Sequence, residues 1–202
     1  GRGLSVDITF TYRSRSAYNG FFGYGWDMAY NRRLKKIESG NVVLLTGDNR
    51  NKDEFTFTAG TYTSPAGIYA TLTENGDGTF TLSSRNGRRE FFDLNGNLTR
   101  IEDRNGNALT FTYDLAGPLP IQGSSSYFVN QDFGVIAREY RLTQINDTVG
   151  RTVSFSYNTD GRLASITYAG NTTTYTYDSS GNGYLISVTK PATTEYPAGL
   201  TT

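Results

Sequence analysis

Hydrophobic and polar residues alternate from Leu4 to Tyr12, with Leu4, Val6, Ile8 and Phe10 on one face and Ser5, Asp7, Thr9 and Thr11 on the other. Successive side chains of an extended chain point to opposite faces, so this period of two predicts a half-buried strand. Further strands are predicted from Tyr30 to Ile37 and from Asn41 to Thr46, around a Ser39-Gly40 turn. Gly47-Asp48-Asn49 turns the chain again, into a strand at Glu54 to Thr58. Thr79-Phe80-Thr81-Leu82 lies between the turn Gly76-Asp77-Gly78 and a hairpin closed by Asn86-Gly87. Turn residues recur about every 8–12 positions, as in an antiparallel all-β chain. No stretch carries the period of an amphipathic helix. The expected fold class is all-β: antiparallel strands and hairpins without substantial helix.

Beyond Asn86 the chain repeats one unit of about 20 residues, a length at which supersecondary units stack and bury their apolar faces against their neighbours. Gly150 to Ile166 holds an aromatic-x-aromatic strand (Phe155, Tyr157), a turn from Asn158 to Gly161, and a short strand with Leu163 and Ile166. From Gly170 the unit recurs with Tyr175 and Tyr177, a turn from Asp178 to Gly181, then Leu185 and Val188. One weaker copy runs from Gly87 through Phe92-Asp93-Leu94-Asn95-Gly96 to Leu98 and Ile101. Another runs from Gly106 through Phe111-Thr112-Tyr113-Asp114, breaks off, and resumes at Leu142 and Ile145. In every copy the apolar pair is spaced i, i+3, which regular pleating sends to opposite faces. Either both faces are partly buried, or a β-bulge at each site returns both residues to one face and coils the sheet; we favour the bulge, so a curved, repeat-built sheet is expected.

The chain thus divides into an N-terminal β region over 1–86, repeats over 87–190 and a Thr/Pro/Gly-rich tail over 191–202 that is expected to be flexible. A loop over 115–137, with Pro118, Pro120 and Ser124-Ser125-Ser126, interrupts the second repeat. The chain opens in mid-pattern at Gly1-Arg2-Gly3-Leu4, and we read it as part of a longer polypeptide. Within the N-terminal region, Phe21-Phe22-Gly23-Tyr24-Gly25-Trp26 is too glycine-rich for a helix and too aromatic for a solvated linker. Glycine there lets the backbone bend tightly while the rings enter a core.

Composition narrows the chemistry. Lysine plus arginine equals aspartate plus glutamate at 19 each, so no net field draws the chain to nucleic acid or an anionic membrane. Lys35-Lys36 and Arg88-Arg89 extend to no basic block, and nucleic acid is not an expected partner. No apolar run is long enough for a membrane-spanning helix, and no membrane insertion is expected. Cysteine and histidine are absent from the 202 residues. That excludes disulfides, thiolate and imidazole metal ligands, cysteine nucleophiles and the Ser-His-Asp triad.

Asp93-x-Asn95-Gly96-Asn97 and Asp103-x-Asn105-Gly106-Asn107 space oxygen ligands two apart, as at the start of a calcium loop. They lack the bidentate glutamate downstream. Each aspartate is read instead as bonding the backbone of its own turn. The carboxylate neighbours Asp53/Glu54 and Glu102/Asp103 define no cleft by adjacency alone. Tyr175 and Tyr177 are read as packing residues rather than sugar or base platforms. No catalytic residue, cofactor or metal is expected, and the Asn-x-Thr sequences at Asn97, Asn146 and Asn171 are read as a product of composition.

Tyr157-Asn158-x-x-Gly161-Arg162-Leu163-x-x-Ile166 and Tyr177-Asp178-x-x-Gly181 resemble the YD repeat of Rhs-type proteins. Tyr12-x-Ser14, Gly23-Tyr24-Gly25-Trp26, Tyr30 and Arg33-Leu34 resemble the segment that precedes those repeats, and so does Asp103-Arg104-Asn105-Gly106-Asn107 leading into Phe111-x-Tyr113-Asp114. The resemblance covers nearly the whole chain. Phe92 stands where tyrosine is usual and Asn158 where aspartate is usual; both can fill the same packing and turn roles. The resemblance implies a YD/Rhs-type β-shell that encloses or displays a C-terminal domain, often a toxin. It further implies a secreted or cell-surface bacterial protein whose partner is the remainder of its own polypeptide. The segment itself is then a non-catalytic structural module. Tyr196-Pro197-Ala198-Gly199-Leu200 lacks the aspartate of the family's self-cleaving motif, so no autoproteolysis is implied. Two other readings stand beside this one: a module that binds a glycan or a surface receptor through exposed aromatics, and a fibre subunit that self-associates through edge strands.

Overall fold

The computed structural model describes residues 3–16, 18–47, 52–115, 140–193, 199 and 201–202. The described residues form strands and no helix, the fold class that the hydrophobic pattern predicts. Four short strands come first: β1 (Phe10–Tyr12), β2 (Asn19–Gly20), β3 (Gly23–Tyr24) and β4 (Trp26–Met28). A four-stranded sheet follows from β5 (Arg33–Lys36), β6 (Val42–Leu45), β7 (Lys52–Thr58) and β8 (Thr61–Thr63). The remaining strands are β9 (Ala70–Glu74), β10 (Phe80–Ser84), β11 (Arg89–Phe92), β12 (Leu98–Glu102) and β13 (Ala108–Leu115), then β14 (Tyr140–Asp147), β15 (Thr152–Tyr157), β16 (Leu163–Tyr168), β17 (Asn171–Tyr177) and β18 (Leu185–Thr189). These ten pair in chain order, each with the next, as a meander.

The i, i+3 spacing has the physical cause that the sequence suggests. In β11–β12, Phe91 faces Arg100 and Phe92 faces Leu98, so Thr99 is an extra residue. In β15–β16, Ser156 faces Ser165 and Tyr157 faces Leu163, leaving Ala164 extra. In β17–β18, Thr176 faces Ser187 and Tyr177 faces Leu185, leaving Ile186 extra. The same bulge therefore recurs on the strand that leaves the repeat turn in three copies, and it puts both members of each pair on one face. Leu98, Ile101 and Leu163 are buried to about 1 % exposure or less, and Ile166 is buried too. The hydroxyl of Thr99 donates to the Phe91 carbonyl at 3.1 Å, which satisfies an acceptor at the irregular point of the ladder. In the last copy Leu185 and Val188 are only half-buried and Ile186 is exposed.

Several expectations need correction. The alternation at Leu4 to Tyr12 sets the faces as predicted, with Leu4, Val6, Ile8 and Phe10 half-buried and Ser5, Asp7 and Thr9 exposed, but only Phe10–Tyr12 enters a ladder. Residues ahead of it are held by isolated bonds, the Ala29 N–H to the Thr9 carbonyl at 2.9 Å and the Asp7 N–H to the Tyr30 hydroxyl at 3.0 Å. At the other end, Thr202 exchanges two backbone bonds with Val188, at 2.9 and 3.0 Å. The last two residues of the expected flexible tail thus lie against the outer edge of β18, as the Thr189–Thr201 bridge also shows. The expected loop over 115–137 falls outside the described residues except for Leu115, which ends β13.

Compactness divides the chain differently from the sequence pattern. One unit comprises Gly1–Thr11, Met28–Phe111 and Asn146–Gly150; the other comprises Tyr12–Asp27, Thr112–Ile145 and Arg151–Thr202. The core of the first is built on Leu34, Val42, Phe55, Phe92, Leu98 and Ile101. It also holds a carboxylate, because the ladder places Glu90 between Leu82 and Ile101 on the buried face. Two arginines neutralise that carboxylate: Arg32 Nε reaches it at 2.9 Å and Arg88 Nε at 3.2 Å. A buried carboxylate without such partners would carry a large desolvation cost. The core of the second unit is built on Tyr18, Phe21, Phe155, Leu163 and Ile166.

Candidate functional site

The repeat turns are where chemistry-bearing side chains collect. In the first copy the Asp93 N–H donates to the Asn97 carbonyl at 3.0 Å and the Gly96 N–H to the Asp93 carbonyl at 2.9 Å. This is the bonding of a three-residue hairpin loop closed by a left-handed residue, and Gly96 has φ +76°. The Asp93 carboxylate fills the inside of the turn, with Oδ1 accepting the N–H groups of Asn95 and Asn97 at 2.9 and 2.8 Å and Oδ2 accepting the Asn97 amide at 3.1 Å. Asp103 repeats the arrangement with Asn105 and Asn107, at 2.8, 2.9 and 2.8 Å. Asn158 does so with the N–H groups of Asp160 and Arg162, at 3.1 and 2.9 Å. The aspartates that open these calcium-like sequences thus accept N–H donors of their own turns, the role expected of them.

Asp114 behaves otherwise. It sits within β13, and its carboxylate receives Arg141 of β14 in a fork, Nε at 3.1 Å and Nη2 at 2.9 Å. The split repeat continues the strand where the other copies turn, and Tyr113 beside it is half-buried.

The last copy carries two extra residues. Its closing bond runs from the Asp178 N–H to the Tyr184 carbonyl at 2.9 Å, and Asp178 Oδ1 accepts the N–H groups of Gly183 and Tyr184 at 2.8 Å each. Gly183 (φ +81°) thus takes the place that Gly96 holds in the first copy, while a Cβ on Gly181 would meet nothing within 4 Å.

N-terminal segments dock on these turns through backbone bonds. In the first unit the Leu34 N–H donates to the Gly96 carbonyl at 2.9 Å, and a Cβ on Gly96 would lie 1.9 Å from the Leu34 carbonyl oxygen. In the second unit the Tyr24 N–H donates to the Gly183 carbonyl at 2.7 Å, and the Leu163 N–H donates to the Phe21 carbonyl at 2.7 Å. The Phe21-to-Trp26 motif packs as follows. Phe21 meets Tyr157 edge-on at 5.8 Å, Tyr24 lies 5.2 Å from Tyr184, and Trp26 lies 5.0 Å from Tyr12. Phe22 is buried, and Gly23 (φ +97°) and Gly25 (φ +74°) supply the bends. A Cβ on Gly23 would come within 2.9 Å of the Gly183 carbonyl oxygen.

Arg162 lies at the centre of this docking, 4 % exposed. Its Nη1 donates to Asn19 Oδ1 at 2.8 Å and to the Gly20 carbonyl at 3.1 Å, and its guanidinium carbon lies 5.7 Å from the centre of the Tyr177 ring. Asn19 in turn donates its amide to the Asn182 carbonyl at 2.9 Å. Burial pulls the guanidinium pKa below its ordinary value, yet arginine stays charged at any physiological pH. The same burial raises the Tyr177 phenol above its ordinary value and pushes Tyr175 up to about 12. Neither phenol is set up to lose a proton near neutrality. Arg162, Asn19, Gly20 and Gly183 carry this arrangement, and sequence reasoning did not single them out for it. The available signal was an arginine at the turn position occupied by asparagine in Asn97 and Asn107.

The turn aspartates give the fold a pH dependence. The side-chain bond from Asn107 holds the Asp103 carboxyl below the usual carboxylate range, and that from Ser180 does the same for Asp178. As pH falls the unfolded chain takes up these protons first, so the stabilisation is complete above the unfolded pKa and is lost as pH falls through the lower folded value. The urea midpoint is therefore expected to drop below about pH 4. Asp103→Asn combined with Asp178→Asn, which keeps an acceptor oxygen as Asn158 does naturally, should make that drop shallower. An equally steep drop in the double variant would show that other groups carry it.

With this geometry in hand, comparison with known proteins identifies the family. The Teneurin YD-shell family matches residues 73–196, and a domain of unknown function, DUF6531, matches residues 1–53. This chain belongs to the Rhs/YD-repeat family, of which the teneurin YD-shell is the matching branch. The tRNA3(Ser)-specific nuclease WapA of Bacillus spizizenii is 28% identical over 193 residues, covering 86% of this chain. The tRNA nuclease WapA of Bacillus subtilis (strain 168) is 27% identical over 193 residues, with the same coverage. The match spans 8% of the length of each of these curated relatives. In fold, the chain is similar to the N-terminal domain of the effector protein SpvB from Salmonella typhimurium, with a TM-score of 0.51 at 13% identity, covering 94% of this chain and 89% of that one. The chain is thus a YD-shell region, similar in sequence to curated proteins named as tRNA nucleases and in fold to the SpvB domain.

Proposed function

We propose that this chain is a structural segment of a YD-repeat shell, non-catalytic in itself, that encloses or displays an effector domain carried elsewhere on the same polypeptide. The observation that supports this most directly is how the recurring elements of the repeat are used. Turn carboxylates are spent on their own backbone N–H groups, the Leu/Ile pairs go to the core through a recurring bulge, and the deeply buried Arg162 binds neutral oxygens of a docked segment. Groups committed in this way build a wall and are unavailable for proton transfer or nucleophilic attack. The partner in this reading is the remainder of the chain's own polypeptide, and the setting is extracellular or at the bacterial cell surface.

The test is limited proteolysis of the full native polypeptide that contains this segment. The domain carried with the shell should resist protease until denaturant unfolds the repeats, and should become sensitive at the same denaturant concentration as they do. Cleavage of that domain at its free-solution rate while the repeats remain intact would overturn enclosure. A catalytic activity retained by this segment alone, and lost on substituting one of its carboxylates, would overturn the non-catalytic part.

A further inference from the structure

Two neighbouring hairpin turns of the first unit border a cavity of about 280 Å³, lined by Leu4, Asn86, Arg88, Asp103, Arg104 and Asn105 among others. The turn after β10 is closed by the Gly87 N–H on the Ser84 carbonyl at 3.0 Å, and the turn after β12 by the Gly106 N–H on the Asp103 carbonyl at 3.1 Å. The two abut at Gly87, where an added Cβ would lie 2.9 Å from the Arg104 Cβ. Half-buried Leu4 supplies an apolar wall, next to the buried Ile101. The cavity falls below the about 300–1,000 Å³ typical of drug-sized ligands, so it suits a single small group.

Some of the polar groups here are already committed. Asp103 accepts the N–H groups of Asn105 and Asn107 and the Asn107 amide. Arg88 donates to Glu90, which Arg32 also binds. Asn86 Oδ1 accepts the Arg88 N–H at 3.1 Å. Arg104 is exposed, and among the described residues no carboxylate lies within ion-pair distance of it. The Asn86 Nδ2 and the side-chain amide of Asn105 likewise have no hydrogen-bond partner among the described residues. Arg32, Arg88 and Arg104 thus stand against Glu90 and Asp103, and Arg104 is the cation without a pair.

We propose that this cavity captures the C-terminus of a polypeptide that ends in an apolar residue. The α-carboxylate pairs with Arg104 in a charge-assisted bond, the amides of Asn86 and Asn105 meet the last peptide unit, and the terminal side chain lies on Leu4. A terminal residue carries its carboxylate and its side chain on one carbon, which matches a cation and an apolar wall in a small cavity. An inorganic anion would leave Leu4 without a role. An aspartate or glutamate side chain inside a peptide would bring no apolar group with its carboxylate. The site is independent of the shell reading: it can hold or fail whether or not the repeats enclose a domain.

The probes are acetyl-Ala-Ala-Leu with a free C-terminus, the same peptide as its C-terminal amide, and acetyl-Ala-Ala-Ser with a free C-terminus. Each is titrated into the chain and followed by amide chemical shifts. The free acid ending in leucine should shift the amides of residues 86–88 and 103–107 and bind at least about tenfold more tightly than either of the others. Arg104→Gln, at an exposed position, should weaken it by about tenfold or more at unchanged thermal stability. Arg85→Gln, at an exposed arginine whose guanidinium lies over the Tyr69 ring, should leave it unchanged. The proposal is overturned by absence of free-acid binding at millimolar concentration, by equal binding of the amide or of the serine peptide, or by an Arg85→Gln loss matching that of Arg104→Gln.

Discussion

Replacing Gly96 with alanine is expected to destabilise the chain by about 3–5 kcal/mol, near the top of the range for single substitutions. The estimate has two parts. At φ +76° an L side chain costs about 1–2 kcal/mol. The added Cβ must also clear the Leu34 carbonyl, which it would otherwise approach to 1.9 Å, and that shift breaks the 2.9 Å bond from the Leu34 N–H to the Gly96 carbonyl. The control is Gly106, with φ +83° and nothing within 4 Å of an added Cβ. Gly106→Ala should cost only the conformational part, about 1 kcal/mol. Urea unfolding of both variants measures the difference. Equal losses would mean that docking of Leu34 on the turn contributes nothing, and that the glycine is there for its dihedral angle alone.

The second large effect is expected at Arg162. Arg162→Leu removes the donors to Asn19 Oδ1 and the Gly20 carbonyl and leaves both acceptors in a buried site. The penalty is about 1–3 kcal/mol for each buried acceptor left without a donor, so a total of about 3 kcal/mol is reasonable. It should also be local. Amide hydrogen exchange should quicken over residues 18–25 and 182–185, while the Leu34 amide, held by Gly96 in the other unit, keeps its protection. Arg162→Lys should recover part of the loss, because an ammonium can reach one acceptor but lacks the planar fork. In a double-mutant cycle with Asn19→Ala the two losses should fall short of additivity, since both remove the same bond. Additive losses, or unchanged exchange at 18–25, would remove Arg162 from the role of holding the N-terminal segment.

Both predictions concern positions where a local signal in the sequence acquires its importance from a distant segment. Gly96 was legible as a turn residue, and Gly181 was singled out by the same logic. The structure instead gives the docked role in the last copy to Gly183, because two extra residues move the closing bond to Tyr184. Asp114 was legible as the first residue of a turn. It lies in a strand and binds Arg141 because the pairing partner, β14, lies beyond the interruption in that repeat. The spacing, by contrast, narrowed the second strand to two possibilities, a bulge or burial on both faces, and the register shifts in three copies are the bulge.

The amino-acid sequence by itself determined the β class, the family, most of the turn positions and the spacing that a recurring bulge accommodates. These follow from alternation, turn chemistry and apolar spacing, all of which act between residues close in the chain. The tertiary structure alone decided which turns are docked by N-terminal segments, that Arg162 is buried against Asn19 and Gly20, and that Leu4, Asn86 and Arg104 line one cavity. Those outcomes depend on which backbone N–H and carbonyl groups meet across the fold. Every residue carries the same two groups, so nothing in the local pattern marks which of them will pair.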